Sequence, residues 1–176
     1  MIESDQRQSI DLLIKNGQIV TAGGHTGPVA GSKMQELTVL ERGFVAIAGE
    51  QIIALGSLEE ILAQARLTEK TQEIDALGKV VTPGLIDAHT HLIFGGSRED
   101  EFVMRIQGSS YLEILKAGGG ILNTVEATKK TDLAELKETG LKRLDWMLQM
   151  GTTTIEAKSG YGLDLATEIK QLRASQ

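Results

Sequence analysis

The sequence predicts an α/β fold in which an N-terminal set of β hairpins gives way to parallel strands separated by helices. Three observations carry that expectation. From Asp11 to Thr82 short apolar runs are broken by glycine; after Pro83-Gly84 a continuous apolar strand is followed by helical periodicities; and a β-branched run, "TTTIEA", then leads through glycines into one more helix. With 176 residues, 41% of them hydrophobic, the chain can bury a core, and the scarcity of aromatic residues (3%) means Leu, Ile, Val and Ala must build it.

Taken in order, "DLLIKNGQIVTAGG" reads as two strands about a turn at Asn16-Gly17, and "GFVAIAGEQIIALG" as a second hairpin about Gly49-Glu50. "SLEEILAQAR" is expected to be a short helix capped by Ser57, and "QEIDALGKVVTPG" returns to strand. These elements describe a small antiparallel sheet, one layer of a sandwich, over residues 1–82. Residues 83–176 form the second part. "LIDAHTHLIF" is its first strand, helices are expected over "SREDEFVMRIQG" and "SYLEILKAGGG", and a longer amphipathic helix runs from Asp132 with Leu133, Leu136, Leu141, Leu144 and Leu148 on one face. Asp132 caps that helix with Glu135 three residues on, and Gly151 ends it. Two strands with their helices do not close a sheet and the sequence stops within a helix, so the N-terminal part of a longer protein is expected.

Composition excludes several classes. The net charge is −6 and the basic residues are scattered, which is no footprint for nucleic acid. Without cysteine there are no disulfides, thiolate metal sites or cysteine nucleophile. The N-terminus lacks the basic start and apolar core of a signal peptide, and no run approaches the roughly 20 apolar residues of a membrane span. A cytoplasmic protein acting on a small molecule is expected.

Chemistry concentrates in "TPGLIDAHTHLIFGGSREDEF". Side chains alternate along a strand, so Asp87, His89 and His91 share a face, and two imidazoles at that spacing can converge on one ion. The plain alternative is a pair of hydrogen-bonded core histidines. Catalytic metal sites use about three protein ligands or more, so at least one lies elsewhere. His25 sits in a Gly-rich loop better suited to solvent, and Lys158 is better read as the partner of Glu156 than as a carbamate. Past the glycines, Arg98 offers a planar fork for a carboxylate, against the alternative of pairing with Glu99, Asp100 or Glu101. Tyr161, between glycines at a strand exit, is well placed for a ligand, whereas Tyr111 on a short amphipathic helix can equally be packing.

The segments "VTPGLIDAHTHLIFGGSREDEF", "GGGILNTV" and "GTTTIEAKSGYGL", in this order and spacing, resemble the imidazolonepropionase family of the amidohydrolase superfamily. The His-x-His is common to the superfamily; the serine-arginine-acidic segment, the triple glycine and the "KSGYG" loop are more specific. The resemblance implies an incomplete (β/α)8 TIM barrel beside the N-terminal part of a composite β-sandwich, and hydrolysis of 4-imidazolone-5-propanoate to N-formimidoyl-L-glutamate with one zinc or iron ion. It implies that His89 and His91 are metal ligands, that Arg98, Tyr161 and Tyr111 contact substrate, and that the full protein is a homodimer. The remaining ligands and the general acid/base belong to later strands, so no catalytic residue is assigned in this chain. The rival readings are a heterocycle deaminase or other cyclic amidase, and a non-catalytic fragment.

Overall fold

The computed structural model describes residues 7–22 and 27–176. They fall into two compact units that divide between Pro83 and Gly84. The first runs β1 (Gln8–Ser9), β2 (Leu12–Thr21), a 3-10 turn at Gly31–Gln35, β3 (Thr38–Ala48), β4 (Gln51–Gly56), α1 (Leu58–Gln64), β5 (Ala65–Arg66), β6 (Gln72–Asp75) and β7 (Val80–Val81). Its main sheet has the order β4-β3-β2-β6, with β7 also paired to β2. The sheet is mixed rather than antiparallel, because β6 and β7 both run parallel to β2.

Asn16-Gly17 does not turn the chain. β2 continues through it, and the ladder with β3 shifts register between Ile14 and Gly17, the mark of a bulge. Asn16 takes the left-handed conformation (φ 58°) that Asn tolerates, its amide donates to Asp75 (3.0 Å), and its carbonyl accepts from Gly78 N–H (2.9 Å). The same dipeptide chemistry that makes a tight turn therefore makes a kink against the β6–β7 connection. The second expected turn is present: Gly49 (φ 58°) and Glu50 join β3 to β4. Ser57 caps α1 with a reciprocal box to Glu60, and Ile61 on that helix closes a core of Ile10, Leu13, Ala46, Ala54 and Ala65.

The second unit runs β8 (Leu85–Thr90), α2 (Glu99–Ile106), α3 (Tyr111–Lys116), α4 (Ile121–Lys130), α5 (Leu133–Gln149), β9 (Thr152–Ala157) and α6 (Leu165–Ala174). β8 and β9 pair in parallel, as the α/β reading requires, and among the described residues this two-stranded sheet is an open start of a barrel rather than a closed one. α4 was not expected. It follows the triple glycine, which looked like a helix end, and Gly120 (φ 84°) is instead its N-cap. Asp132 caps α5 through Glu135 N–H and Gly151 (φ 93°) follows its end, as read from the sequence.

The leucine stripe of α5 is narrower than expected. Leu136 is buried, Leu144 and Met147 pack partly on Leu92 and Ile93, but Leu141 and Leu148 are exposed. Gly140, one turn after Leu136, explains the closeness of α5 to the strand tip: a Cβ there would lie 2.6 Å from Ile93 Cδ1. Gly140→Val is expected to destabilise the second unit by about 1–3 kcal/mol through overpacking, read as a lower urea midpoint at unchanged m-value.

Candidate metal and ligand site at the β8 tip

The site is built where β8 ends. The β8–β9 ladder continues to Thr90, whose carbonyl accepts from Lys158 N–H (2.8 Å) and whose hydroxyl donates to Glu156 O (3.0 Å). His89 lies just inside the strand and His91 just beyond it; their ring centres are 5.5 Å apart, tilted by 59°. Alternation along the strand thus brings the two imidazoles together. Asp87 does not orient either ring: its carboxylate accepts from the His89 backbone N–H (3.2 Å).

The loop after β9 brings a third ring to His91. Tyr161, in the loop after β9, has its ring centre 5.3 Å from that of His91 and 5.6 Å from that of Phe94. Gly160 makes this approach possible, since a Cβ there would fall 2.8 Å from His91 Cε1, and its φ of 144° is one that side chains disfavour. Arg98, Tyr161, Phe94, Thr124 and Arg143 line one cavity of about 380 Å³. Two residues singled out from sequence for a ligand, Arg98 and Tyr161, therefore meet at one hollow. Tyr111 stands apart, exposed at the start of α3 and outside that lining.

Arg98 is the N-cap of α2 without a capping side-chain bond, half-exposed, and 4.0 Å from Glu101 Oε2. That contact leaves most of its fork free. Glu101 is the surprise: it is buried, and its other oxygen accepts from Gly120 N–H at 2.7 Å. One carboxylate thus ties Arg98 to the first residues of α4, where a negative charge also suits the helix dipole. The sequence offered Glu101 as one of three acidic partners for Arg98, the alternative present here at 4.0 Å; what it did not show is the burial of Glu101 and its bond to the triple glycine, whose bare backbone N–H groups need an acceptor. The Gly95-Gly96 pair packs closely against α4, and Gly96 also lines the cavity. Gly95 N–H donates to Thr128 Oγ1 (3.0 Å), and a Cβ on Gly96 would lie 2.7 Å from Ala127 Cβ, so the pair admits α4. Lys158 pairs with Glu156 at 3.4 Å, the plain reading of that lysine. His25 lies outside the described residues.

A metal ion fits two of these side chains. Two imidazoles sharing one tetrahedral ion, each nitrogen about 2.1 Å from it, hold their ring centres roughly 5–5.5 Å apart, the spacing found for His89 and His91. His91 Nδ1 is buried without a hydrogen-bond partner, a state that costs free energy unless something occupies it. No group of three or more metal-ligating side chains assembles among the described residues.

Comparison with known proteins identifies the family of the chain. The family described as Amidohydrolase family matches residues 72–162. The chain is 52% identical over 167 residues to an imidazolonepropionase of Alkaliphilus oremlandii, covering 94% of this chain and 39% of that protein. It is 48% identical over 166 residues to an imidazolonepropionase of Symbiobacterium thermophilum, covering 94% and 39%. The chain thus spans about 39% of the length of these curated relatives. Among solved structures, a zinc-bound adenosine deaminase of Xanthomonas campestris superposes with a TM-score of 0.57 at 20% identity, over 86% of this chain and 29% of that one. The guanine deaminase of E. coli gives 0.56 at 18%, over 82% and 30%. At such identity these likenesses speak for the fold alone. No helix among the described residues is long and apolar enough to cross a membrane.

The loop that carries Tyr161 is held by Glu168, which accepts from Gly162 N–H (2.7 Å) and Leu163 N–H (2.9 Å). Burial opposes the Glu168 charge, but hydrogen bonds from the Ser159 hydroxyl and from Leu163, Gly162 and Gly160 N–H outweigh it and bring the pKa below the ordinary glutamate value. A folded pKa below the unfolded one means the clamp contributes fully above about pH 4.3 and is lost as pH falls through the lowered folded value. The Gly162 and Leu163 amide resonances are expected to titrate below that pH in wild type and not to titrate in Glu168→Gln.

Proposed function

This chain belongs to the amidohydrolase family, and from that premise we propose that it contributes the first two metal ligands and the carboxylate-binding arginine of an imidazolonepropionase. The reaction is hydrolysis of the ring C–N bond of 4-imidazolone-5-propanoate to N-formimidoyl-L-glutamate. The observation that carries this reading is the cavity shared by Arg98 and Tyr161, with Tyr161 seated against His91. It combines a place for an anionic tail with a place for an ion a ring's width away.

His89 and His91 would hold zinc or iron through neutral imidazole nitrogens. When bound, such an ion supplies Lewis acidity at a ring carbonyl and makes water a nucleophile near neutral pH. The chain's own residues do the rest of what falls to this segment. Arg98 fixes the propanoate by charge-assisted hydrogen bonds and so orients the ring. Tyr161 covers one side of the hollow, its ring excluding water and its hydroxyl available to a polar edge of the substrate; Tyr111, which stands outside that lining, is assigned to the substrate by the family resemblance alone. Residues 1–82 belong to a composite β-sandwich and residues 83–176 to the first βα units of the barrel. The further ligands and the acid/base group come from chain corresponding to the remaining length of the relatives, in a cytoplasmic homodimer.

The test is a chimera in which residues 1–176 replace the matching segment of the Alkaliphilus oremlandii imidazolonepropionase. The chimera is expected to retain about one equivalent of metal and to hydrolyse 4-imidazolone-5-propanoate. His89→Ala and His91→Ala should each lose the metal, and Arg98→Ala should lower kcat/KM by about 1.5–3 kcal/mol, the range for a charged hydrogen bond, mainly through KM. A folded, metal-loaded chimera that deaminates guanine or adenosine and leaves the imidazolone intact would assign the site to a deaminase instead.

A further inference from the structure

Beyond Thr90 the chain leaves the sheet, and the backbone polar groups of the next residues have no strand to pair with. Each of four finds a helix side chain. Arg143 Nη1 on α5 donates to Leu92 O (2.8 Å) and to Phe94 O (3.0 Å). Gln171 Nε2 on α6 donates to Ile93 O (2.6 Å), and Thr128 Oγ1 on α4 accepts from Gly95 N–H (3.0 Å). Arg143 does more than its companions, because its guanidinium also lies 3.6 Å from the centre of the Phe94 ring. Phe94 in turn meets Tyr161, and Tyr161 meets His91.

Arg143 also lines the cavity, together with Arg98 and Glu99. Among the described residues no carboxylate stands within ion-pairing distance of it. It is half-buried, and burial pulls its pKa below the ordinary arginine value while leaving it a cation. A partly desolvated cation needs compensation, and here two carbonyls and one aromatic face supply it. A lysine could reach a carbonyl but could not stack a planar fork on Phe94.

We propose that Arg143 is a positioning residue of the site: by gripping the Leu92 and Phe94 carbonyls and the Phe94 ring together, it holds Tyr161 against His91. The consequence for metal affinity rests on the reading of His89 and His91 as ligands; the ring contacts do not. Two measurements on the 176-residue chain keep these apart. The first is the set of ring-to-ring NOE cross-peaks among His91, Tyr161 and Phe94 in isotope-labelled protein without metal. The second is zinc affinity by competition with a chromophoric chelator.

In Arg143→Met and Arg143→Lys the His91–Tyr161 cross-peaks are expected to disappear while the α5 amide signals stay dispersed, and zinc affinity is expected to fall about tenfold, the scale of losing a ligand's support. Arg143→Lys keeps the charge and so covers the case in which Arg143→Met does not fold. A general structural role would lower the melting temperature of the unit and leave the two rings in contact. Wild-type cross-peaks in either folded variant overturn the proposal. If the wild-type chain holds zinc no better than His89→Ala, the ligand reading fails, and the cross-peaks still decide the role of Arg143.

Discussion

What the site depends on is the end of a β-ladder. A strand that stops pairing at Thr90 but continues as "HLIFGG" carries backbone donors and acceptors into a region where no neighbouring strand can take them, and buried groups of that kind must be satisfied. Arg143, Gln171 and Thr128 reach the segment from three different helices, so its position is fixed by how those helices sit and not by a ladder register. This suits a functional tip. Paired strands place side chains on alternate faces at fixed intervals, whereas a segment tied by side chains can bend away after His91 and set Phe94 against Tyr161, which in turn meets His91.

Polar locks then hold the helices that do the tying. Lys170 on α6 donates to the carbonyls of Thr128 (2.9 Å), Lys129 (3.0 Å) and Thr131 (2.6 Å) at the C-terminal end of α4. That geometry pairs a cation with the negative end of a helix dipole and satisfies carbonyls that have no intrahelical donor. Lys129 lies 3.4 Å from Asp164, the N-cap of α6. The apolar cluster beneath the strand tip is small, consisting of Leu92, Ile93 and Leu136 with partly buried neighbours, while Ile114 and Val125 are buried apart from it. With so little hydrocarbon to set the angles, directed hydrogen bonds and close glycine contacts determine where α4, α5 and α6 rest on the strand tip.

The legible parts of this fold are those governed by local chemistry. Caps at Ser57, Asp132 and the turn at Gly49 could be read because each depends on residues within one turn of chain, and the adjacency of His89 and His91 could be read because a strand has period two. Asn16-Gly17 was misread for the opposite reason. Its left-handed preference is local, but whether the chain reverses or merely kinks is decided by β6 and β7, which lie some sixty residues away and pull β2 straight through. The same holds for Glu101 and Arg143. Each looks like an ordinary helix surface charge until a distant partner appears, Gly120 for one and the β8 tip for the other. The one local hint for Arg143 is that it falls on the stripe of Leu136, Gly140, Leu144 and Met147, where an apolar residue would be the simpler choice.

That contrast also separates what is general in this segment from what is specific. A histidine pair at a strand tip follows from strand geometry, whereas the solved structures that superpose at 18–20% identity share the fold alone. The cavity wall is another matter. It is assembled from Arg98 on the α2 cap, Thr124 on α4, Arg143 on α5 and Tyr161 on the β9 exit loop, contributions joined only by long-range contacts. Two of those residues carry fixed positive charge, Glu99 lines the same hollow, and Glu101 stands 4.0 Å from Arg98. The chemical character of the hollow is therefore set by the helices and loops around the tip, while the spacing of the histidines is set by the strand.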